Sequence, residues 1–367
     1  MKVAIIHYWL VTMRGGEKML EALLELFPEA DIFTHVYDPS SISDLINSHS
    51  IYTSGIQKFP FAKKFYQKYL SFMPKALDSF NIQNYDLVIS SEAGPAKGVV
   101  PNPDAFHLCY CHSPMRYIWD MYHEYHKRAG FFTRFFMKRL IPRLRLWDVC
   151  SANLVDRFIT NSTYSAGRIK RYYNRDAAVV YGPASIEKYL SVPRNAGEYY
   201  LLAGQITEYK RADIAIEACA VSGRKLVVAG SGMSKKDIRR WEKTGVISFR
   251  DRVSDAELIS LFSGARALIF PGIEDMGLIP IEANAAGCPV IAYGKGGVLD
   301  TIKDGITGIF FYEQTPVSLI KAIDRFEAAE KEMAFSRREQ FSDHVRQFSK
   351  EAFKERVLKI IEERKRI

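Results

Sequence analysis

Two glutamates lie in a glycine-bearing segment of the second half of the chain. Glu274 falls in a loop after an apolar run, and Glu282, with seven residues between the two, falls inside an expected helix. We expect that helix to begin near Met276 or Gly277, so that the N–H groups of Met276, Gly277 and Leu278 face a ligand. A helix start carries about half a positive charge and binds phosphate readily. The pattern predicts phosphate at the helix start, with Glu282 on ribose hydroxyls and Glu274 on a sugar; two unrelated acids are the alternative.

Two cations, Lys210 and Arg211, stand between an apolar run that ends at Gly204 and the next expected helix. The helix macrodipole makes cations unfavourable at a helix start, so their presence favours an anionic ligand over a solvated helix end. There they can neutralise the charge that grows on a departing diphosphate. No D-x-D sequence occurs in the chain. We therefore expect the phosphates to be held without a metal ion, and we expect no cofactor.

In the first half, His112 directly follows an apolar run, and Arg14-Gly15-Gly16-Glu17 follows the first such run. Ligands of parallel sheets bind beyond the carboxyl ends of the strands, which is where these residues fall. A single histidine is more often structural, so the residues alone leave the role of His112 open. Cys109 and Cys111 precede it, but no second Cys/His pair at zinc spacing accompanies them, and we expect no metal site there.

Short apolar runs that alternate with helical patterns must position these residues. Such alternation indicates βα units and parallel sheets. We predict strands at KVAIIHY, DIFTHV, DLVIS, FHLCYC, RFITNS and AVVYG in the first half, and at YYLLAGQ, KLVVAGS, VISFR, ALIFPG, PVIAYG and GIFF in the second. Predicted helices include EKMLEALLELF, RADIAIEACAVS, DAELISLFSGA and LIPIEANAAG, the last one ended by Gly287. The fold class is therefore α/β, with two sheets whose ligand edges face each other across a cleft.

The length of 367 residues exceeds one ordinary domain. We place the boundary where a predicted strand ends in turn residues, which gives Rossmann-like domains at residues 1–182 and 183–348. A charged amphipathic helix at 349–367 can pack against either domain, and we expect it to pack back on the N-terminal one.

The composition is that of an ordinary globular protein, with 47% hydrophobic and 25% charged residues and a net charge of +9. There is no run of about 18 apolar residues, the length that spans a membrane. Charges follow the apolar start at once, so we expect a buried first strand rather than a signal peptide. The five cysteines favour a reducing cytoplasm over a disulfide framework, because their number is odd.

Two stretches combine cations with aromatic residues and contain no acid. Residues 57–70 hold four lysines, and residues 127–145 hold seven lysines and arginines. Both suit an anionic lipid surface. A solvated basic helix face that packs its aromatic residues inward is the alternative. Nothing resembles a nucleic-acid-binding motif, and we expect no nucleic-acid partner.

These motifs resemble those of the family-4 retaining glycosyltransferases, a family with the GT-B fold, over nearly the whole length. The resemblance rests on RGGEK (14–18), YCHSPMRYIWD (110–120), GQITEYKR (204–211), the paired glutamates and the AAGCPVIAYGKGG that follows them. It implies that Gly15 and Gly16 approach the donor diphosphate, that His112 contacts the donor sugar and that Lys210 binds phosphate. It also implies an acceptor in the first domain and a nucleotide-sugar donor in the second.

Within this family, YCHSPMRYIWD together with YKR is most similar to bacterial mannosyltransferases that build O-antigen or related polysaccharides on a lipid carrier. The resemblance implies transfer of a hexose, foremost mannose from GDP-mannose, to a lipid-linked glycan. A UDP-sugar donor is the alternative, since the residues do not distinguish the bases. An enzyme with such an acceptor is expected on the inner face of the cytoplasmic membrane, held peripherally on its anionic surface.

One position departs from the family pattern. The family usually has arginine directly after the glycine at 204, and this chain has Gln205. Glutamine donates hydrogen bonds but brings no charge, so its predicted contact with phosphate is in question, although Arg211 can compensate. A catalytically silent member that acts as a scaffold is the resulting alternative.

Two other protein classes fit the sequence less well. A two-lobed binding protein needs an export signal and has no use for the paired glutamates. A nicotinamide dehydrogenase needs G-x-G-x-x-G after a strand, whereas Gly230-x-Gly232 is followed by Lys235 in place of the third glycine.

Overall fold

The computed structural model describes residues 1–332, 335 and 337–364. Within this part the chain forms two compact units. Unit 1 is Met1–Gly182 together with the chain from Lys354 onward, and unit 2 is Pro183–Phe353. Each unit contains one parallel sheet with helices, which confirms the α/β class.

Unit 1 begins with alternating strands and helices. Its strands are β1 Val3–His7, β2 Asp31–Thr34, β3 Ile51–Thr53, β4 Leu87–Glu92, β5 Phe106–Cys111, β6 Arg157–Thr160 and β7 Ala177–Val179. Its helices are α1 Gly15–Leu26, α2 Asp44–Asn47, α3 Ala62–Phe65, α4 Met73–Leu77, α5 Tyr122–Arg128, α6 Phe131–Ser151 and α7 Thr163–Tyr173.

Unit 2 continues the same alternation. Its strands are β8 Tyr200–Ala203, β9 Leu226–Ala229, β10 Ile247–Arg250, β11 Leu268–Phe270, β12 Val290–Tyr293 and β13 Gly308–Phe311. Its helices are α8 Glu187–Leu190, α9 Ala212–Ser222, α10 Lys235–Glu242, α11 Asp255–Gly264, α12 Leu278–Ala285, α13 Val298–Thr301, α14 Pro316–Lys331 and α15 Arg338–Val345. The last helix, α16 Lys350–Glu363, begins in unit 2 and continues in unit 1.

Both sheets share one strand order. The order in unit 1 is β3-β2-β1-β4-β5-β6-β7, and in unit 2 it is β10-β9-β8-β11-β12-β13. In each sheet the first strand of the unit therefore lies beside the fourth, β1 beside β4 and β8 beside β11. This neighbouring pair is where the strand order reverses, and open α/β sheets bind ligands at the carboxyl ends of such strands.

Burial explains why these segments form strands. Every residue of β1, β4 and β5 is buried, and near-continuous apolar runs are typical of strands covered on both faces. Helix α1 turns one apolar face inward through Met19, Leu20, Leu23 and Leu24, which recur at the helical period.

The strands predicted from the apolar runs are confirmed, with small differences at the sheet edges. Strand β3 was not predicted, and β7 covers 177–179 rather than 178–182. Gly287 follows the end of α12 with a φ of +74°, which confirms it as the residue that stops this helix. Helix α1 begins at Gly15, two residues earlier than predicted.

The two basic stretches differ in how they place their aromatic rings. In 57–70, Phe59, Tyr66 and Tyr69 pack against a buried cluster, and Phe61 alone among its phenylalanines and tyrosines is largely exposed, at 76%. In α6, by contrast, Phe131 and Phe132 are 81% and 77% exposed. The alternative of inward-packed aromatic residues is therefore wrong for the start of α6, because no neighbouring element covers its first turns among the described residues. No helix in that part of the chain is long and apolar enough to cross a membrane.

Candidate functional site

A line of polar groups lies at the point in unit 1 where the strand order reverses. His7 ends β1 and is the register neighbour of Ser91 in β4. The Nδ1 atom of His7 lies 3.0 Å from Ser91 Oγ, and that hydroxyl lies 3.1 Å from Nε2 of His112. The His112 N–H donates to the Glu92 carbonyl at 2.9 Å, so its backbone extends the β4–β5 ladder. His112, predicted to contact sugar, is thus joined through one hydroxyl to a buried histidine.

Glu17 completes this line from the first turn of α1. Its Oε1 lies 3.8 Å from His7 Nε2, and both side chains are buried. Its Oε2 accepts the Arg14 N–H at 2.8 Å, which caps the helix. Burial alone would raise the pKa of Glu17, but the interaction with His7 and the backbone N–H groups hold that pKa below its usual value. Glu17 is therefore an ionised carboxylate inside the protein.

The predicted glycine loop is the first turn of a helix. Gly15 and Gly16 are the first two residues of α1. A Cβ at Gly16 would lie 2.2 Å from the Tyr8 hydroxyl, so the packing of Tyr8 requires glycine there. Backbone N–H groups of a first turn can still bind phosphate, and this role for Gly15 and Gly16 stays a prediction.

Arg168 of α7 holds the segment that follows His112. Its guanidinium donates to Ser113 Oγ, to the Pro114 carbonyl at 3.2 Å and to Asp120 at 2.5 Å. Because one buried, planar side chain contacts both ends of the segment, residues 113–120 are fixed to α7.

A buried cluster of charges lies behind the same segment. Lys97 is bonded to Glu92 at 3.0 Å and to Asp148 of α6, and all three side chains are fully buried. Asp148 also accepts from Trp119 Nε1 at 2.7 Å and from the Tyr173 hydroxyl at 3.0 Å. Burial alone would lower the pKa of Lys97, but the two carboxylates raise it. Breaking such a cluster is costly, since removing one partner leaves an uncompensated buried charge.

In unit 2 the two predicted site residues Lys210 and Glu274 contact each other. Lys210 ends a short turn after β8, and Glu274 lies in the loop after β11. Lys210 Nζ lies 2.8 Å from Glu274 Oε1, and the side chains are 21% and 20% exposed. The contact is an ion pair without the alignment of a hydrogen bond. An ammonium has three donors, so Lys210 can take a further anionic partner from this position.

The start of α12 lies next to this pair. The helix begins at Leu278 after Gly277, whose φ is +81°, in agreement with the predicted start. A Cβ placed on Gly204 would lie 3.4 Å from Lys210 Nζ and 3.8 Å from the Ile279 side chain. The start of α12 and Lys210 are therefore both next to Gly204. Pro280 has no N–H, so the donors at this helix start are those of Gly277, Leu278 and Ile279. Met276, predicted to donate as well, precedes the helix and is buried.

Glu282 lies one turn into α12 and faces Tyr189. Burial, together with the Glu282 carboxylate, raises the pKa of Tyr189. A hydrogen bond from the Tyr189 hydroxyl to Glu282 is among the causes of this shift in pKa.

Arg211 and Gln205 lie outside this group of contacts. Arg211 has a left-handed backbone, with φ +51°, and its guanidinium donates to both oxygens of Asp213 at 2.9–3.1 Å. Its predicted role towards phosphate would require it to leave Asp213. Gln205 is exposed, so its side chain is not packed into the core.

Five glycines at the same edge are explained by the packing of loops on one another. A Cβ at each would lie 1.9–2.7 Å from the backbone of a neighbouring loop. The pairs are Gly230 with Gly204, Gly232 with Ile206, Gly272 with Lys210, Gly296 with Glu274, and Gly297 with Asp275. Gly297 also donates its N–H to the Glu274 carbonyl at 2.8 Å. The backbone around Lys210 and Glu274 is thus fixed on both sides.

The sequence reasoning missed His7, Ser91 and the inward direction of Glu17. One signal was present, because Ser90-Ser91-Glu92 is a polar run at the carboxyl end of an apolar strand. Such a run at a ligand-binding edge could have been treated like the residues after the other strands.

Comparison with known proteins gives a family-model match in the second half of the chain and a fold for the whole of it. Residues 191–348 match the family model described as "Glycosyl transferases group 1". A D-inositol 3-phosphate glycosyltransferase of Streptomyces scabiei is 29% identical over 205 residues, which cover 47% of this chain and 46% of that protein. The match thus spans about half the length of the curated relative.

Solved structures match over the whole chain at low identity. The lipopolysaccharide outer core galactosyltransferase WaaB aligns with a TM-score of 0.70 and 14% identity, covering 99% of this chain and 100% of that one. The chain has the GT-B fold. Anabaena HepE in complex with UDP and glucose aligns with a TM-score of 0.67 and 13% identity, covering 99% of both chains. The comparisons thus give a group 1 glycosyltransferase match within residues 191–348 and the GT-B fold over the whole chain.

Proposed function

We propose that this chain is a retaining glycosyltransferase of the family-4 type that moves a hexose from a nucleoside diphosphate sugar to an acceptor. The observation that carries the proposal is the Lys210–Glu274 pair beside the start of α12. A cation, a carboxylate and unpaired helix N–H groups meet there at the point where the strand order of unit 2 reverses. This combination suits a diphosphate joined to a sugar.

The donor binds through its two ends. The diphosphate is bound by the N–H groups of Gly277, Leu278 and Ile279 and by the ammonium of Lys210, because all of them present positive charge. Glu282 accepts hydrogen bonds from ribose hydroxyls. Glu274 accepts from hydroxyls of the sugar, and its link to Lys210 fixes the sugar relative to the phosphates.

In the chemical step the bond between the sugar C1 and the phosphate oxygen breaks. Negative charge grows on the leaving diphosphate, and preformed positive groups stabilise it most when charge is fully developed. The acceptor hydroxyl attacks from the same face, and the leaving phosphate takes its proton, so that configuration is retained without a carboxylate nucleophile. We propose that this occurs without a metal ion, since Lys210 and α12 supply the positive charge.

For the donor we propose mannose from GDP-mannose, on the resemblance of residues 110–120 and 204–211 to bacterial mannosyltransferases. A UDP-sugar is the second candidate, favoured by the likeness to HepE, which was solved with UDP and glucose. A silent scaffold is the third candidate. The intact contact between Lys210 and Glu274 argues against it.

For the acceptor we propose a lipid-linked glycan reached at an anionic membrane surface. The support is the start of α6, where Phe131, Phe132, Phe135 and Phe136 are exposed among lysines and arginines. Aromatic rings that enter the headgroup region and cations that attract anionic lipids would hold the protein there reversibly.

A thermal-shift panel with GDP, UDP, ADP and their sugar forms tests the proposed donor site. A ligand at about 100 times its Kd stabilises a protein by about 2.7 kcal/mol, which a melting curve resolves. Each nucleotide sugar is then incubated with the protein, and the release of nucleoside diphosphate is measured. We expect one base to stabilise and its sugar form to be consumed.

The variant Lys210→Met should weaken nucleotide binding by about tenfold or more, because a charged partner of phosphate is lost. Lys225→Met is the matched control, since Lys225 also pairs with one glutamate, Glu198 at 2.7 Å, away from the site. If no nucleotide stabilises the wild type, or if both variants bind equally well, the proposed donor site is wrong. Stabilisation without turnover would favour the scaffold.

A further inference from the structure

A cavity of about 240 Å³ lies in unit 2, at the end of the sheet opposite to the proposed donor site. Its lining includes Arg266, two residues before β11, and Pro289, directly before β12, so it borders the amino ends of these strands. The proposed donor site lies at their carboxyl ends. Helix α12 begins beside that site, and Gly287 of the cavity follows its end. Its 8 residues span about 12 Å, so the cavity is a separate place in the fold.

The charges around this cavity are unbalanced. Among the described residues that line it, the charged ones are Arg194, Arg266, Arg338 and Glu330. Arg266 is paired, because its Nε lies 3.1 Å from Glu330 and its Nη1 lies 3.2 Å from Glu327. Arg194 and Arg338 form no ion pair within the part of the chain that the structure describes. The cavity thus contains two full positive charges that no described carboxylate offsets.

Backbone carbonyls hold these two arginines in place. Arg194 Nη1 donates to the Phe262 carbonyl at 2.8 Å, in the last turn of α11, and Arg338 Nη2 donates to the Leu190 carbonyl at 2.8 Å, at the end of α8. A Cβ placed on Gly287 would lie 3.6 Å from Arg194 Cδ and 3.9 Å from Arg338 Cγ, so both side chains lie against the same residue. Carbonyls at helix ends carry only partial negative charge. They fix the two guanidinium groups without neutralising them.

Arg338 keeps hydrogen-bond donors for a ligand. A guanidinium has five N–H groups, two on each Nη and one on Nε. The bonds of Arg338 to the described residues come from Nη2 alone. Its Nε and Nη1 groups therefore present three donors, in the planar arrangement that binds phosphate or carboxylate oxygens.

The other residues that line the cavity are apolar or glycine. Phe341 is 1% exposed and Pro289 is buried, whereas Arg194 and Arg338 are partly exposed, so the charges lie nearer to solvent than the apolar base. A phosphate monoester carries a charge of about −1.5 to −2 at pH 7 and matches two cations better than a carboxylate does. Pockets for drug-sized ligands measure about 300–1,000 Å³, so this smaller cavity suits a phosphate with a body of one small ring.

We propose that this cavity is a second ligand site, which binds a small phosphate monoester. Arg194 and Arg338 bind the phosphate, and the apolar part of the ligand packs on Pro289 and Phe341. The proposal does not depend on the proposed function, because the cavity shares no residue with the proposed donor site. The competing explanation is that the two arginines serve only as caps for the ends of α8 and α11.

The test is titration calorimetry of the full chain with phenyl phosphate, phenyl sulfate and inorganic phosphate. The ionic strength is kept constant with NaCl, at about pH 7.5, above the second pKa of a phosphate monoester near 6. Phenyl sulfate has the same ring with a single charge, and inorganic phosphate lacks the ring. We expect phenyl phosphate to bind about tenfold more tightly than either of them, because only phenyl phosphate uses both parts of the cavity.

The variant Arg338→Met should weaken the binding of phenyl phosphate by about tenfold or more, because a charged partner of phosphate is lost. Arg325→Met is the matched control. Arg325 also lies in unit 2 and donates from Nη2 to a backbone carbonyl, that of Phe310 at 2.7 Å, but it does not line the cavity. Lys210→Met, at the proposed donor site, should leave the binding of phenyl phosphate unchanged.

Should Arg338→Met fail to fold, a pair of variants at Ala196 gives the same test. Ala196 lines the cavity and is exposed, so a larger side chain there does not disturb the core. Ala196→Glu places a carboxylate beside the arginines, and Ala196→Gln places a side chain of the same size without the charge. Phenyl phosphate should bind about tenfold more weakly to Ala196→Glu than to Ala196→Gln.

Three results would overturn the proposal: no binding of phenyl phosphate, equal binding of phenyl phosphate and phenyl sulfate, or equal losses of binding in Arg338→Met and Arg325→Met. The first result would show that the arginines only cap helices. Binding that is lost in Lys210→Met and kept in Arg338→Met would place the phosphate at the proposed donor site instead. If inorganic phosphate binds as tightly as phenyl phosphate, the apolar base contributes nothing and the proposed class of ligand is wrong.

Discussion

Replacing Glu282 with alanine should weaken nucleotide binding and, separately, destabilise unit 2. A hydrogen bond to a charged acceptor contributes about 1.5–3 kcal/mol net of the exchange with water, and contributions vary with context, so a loss of about 1–3 kcal/mol is expected. This corresponds to a Kd that rises about 5- to 150-fold. Titration calorimetry with the stabilising nucleoside diphosphate measures it.

The second effect follows from Tyr189, which is buried with 1% exposure and donates to Glu282. Without that carboxylate its hydroxyl loses an acceptor, which costs about 1–3 kcal/mol of unfolding free energy. Urea unfolding without nucleotide measures this cost. Tyr189→Phe is the matched control, because it removes the hydroxyl and keeps the carboxylate; its Kd should stay within about threefold of the wild type.

The variant Glu274→Ala distinguishes the role of Glu274 from that of Glu282. It removes the proposed contact with the sugar and the observed partner of Lys210, so turnover should fall more than affinity for the free nucleotide. Equal losses of nucleotide affinity in Glu282→Ala and Glu274→Ala would refute this division of roles. If Tyr189→Phe weakened the nucleotide as much as Glu282→Ala, the effect of Glu282 would be structural.

Three further outcomes are expected. Gln205→Arg should keep or raise affinity for the free nucleoside diphosphate in calorimetry, since the exposed side chain gains charge without entering the core; a large loss would show that the position is packed. Turnover should be unchanged by EDTA, and a loss that Mg²⁺ restores would contradict transfer without a metal. The protein should float with anionic vesicles at low salt but not at high salt. Salt screens the attraction, because the Debye length is about 10 Å at 0.1 M and shortens as the salt concentration rises. Flotation should weaken when glutamine replaces three exposed cations of α6: Lys138, Arg139 and Arg143. The control replaces three exposed cations of α10: Lys235, Lys236 and Arg239. Equal flotation of the two variants would contradict the proposed contact between α6 and lipid. Arg145 is left intact, because it bonds the Ile118 carbonyl at 2.6 Å.

Most strands could be predicted because a strand covered on both faces must be apolar throughout. Strand β3 was not predicted, for the same reason. At the sheet edge only Ile51 of its three residues is partly covered, so the strand has no apolar run. The early start of α1 was not predicted because glycines such as Gly15 and Gly16 are typical of loops. The close approach of the Tyr8 hydroxyl to Gly16 cannot be inferred from the sequence.

The candidate site was predictable where one segment holds it and not where it is assembled across strands. The start of α12 and the position of Glu282 follow from the helical pattern after Gly277. The contact between His7 and Ser91, 84 residues apart, depends on which strands become neighbours. The direction of a side chain such as Glu17, inward to a histidine rather than outward to a ligand, depends on the same pairing.

The interlocking glycines at the edge of unit 2 also limit how the proposed preference for a sugar can be changed. Each loop can adopt its backbone conformation only because the neighbouring loop has a glycine at the point of contact. Gly230 contacts Gly204 in this way, and Gly297 contacts Asp275. Transplanting a single loop from a relative would bring a backbone that its neighbours were not shaped to accept. The loops after β8, β9, β11 and β12 therefore form one exchangeable cassette. Chimaeric proteins should therefore exchange these loops together, with the junctions in the flanking strands. Smaller changes of specificity should be made by substituting side chains on an unchanged backbone.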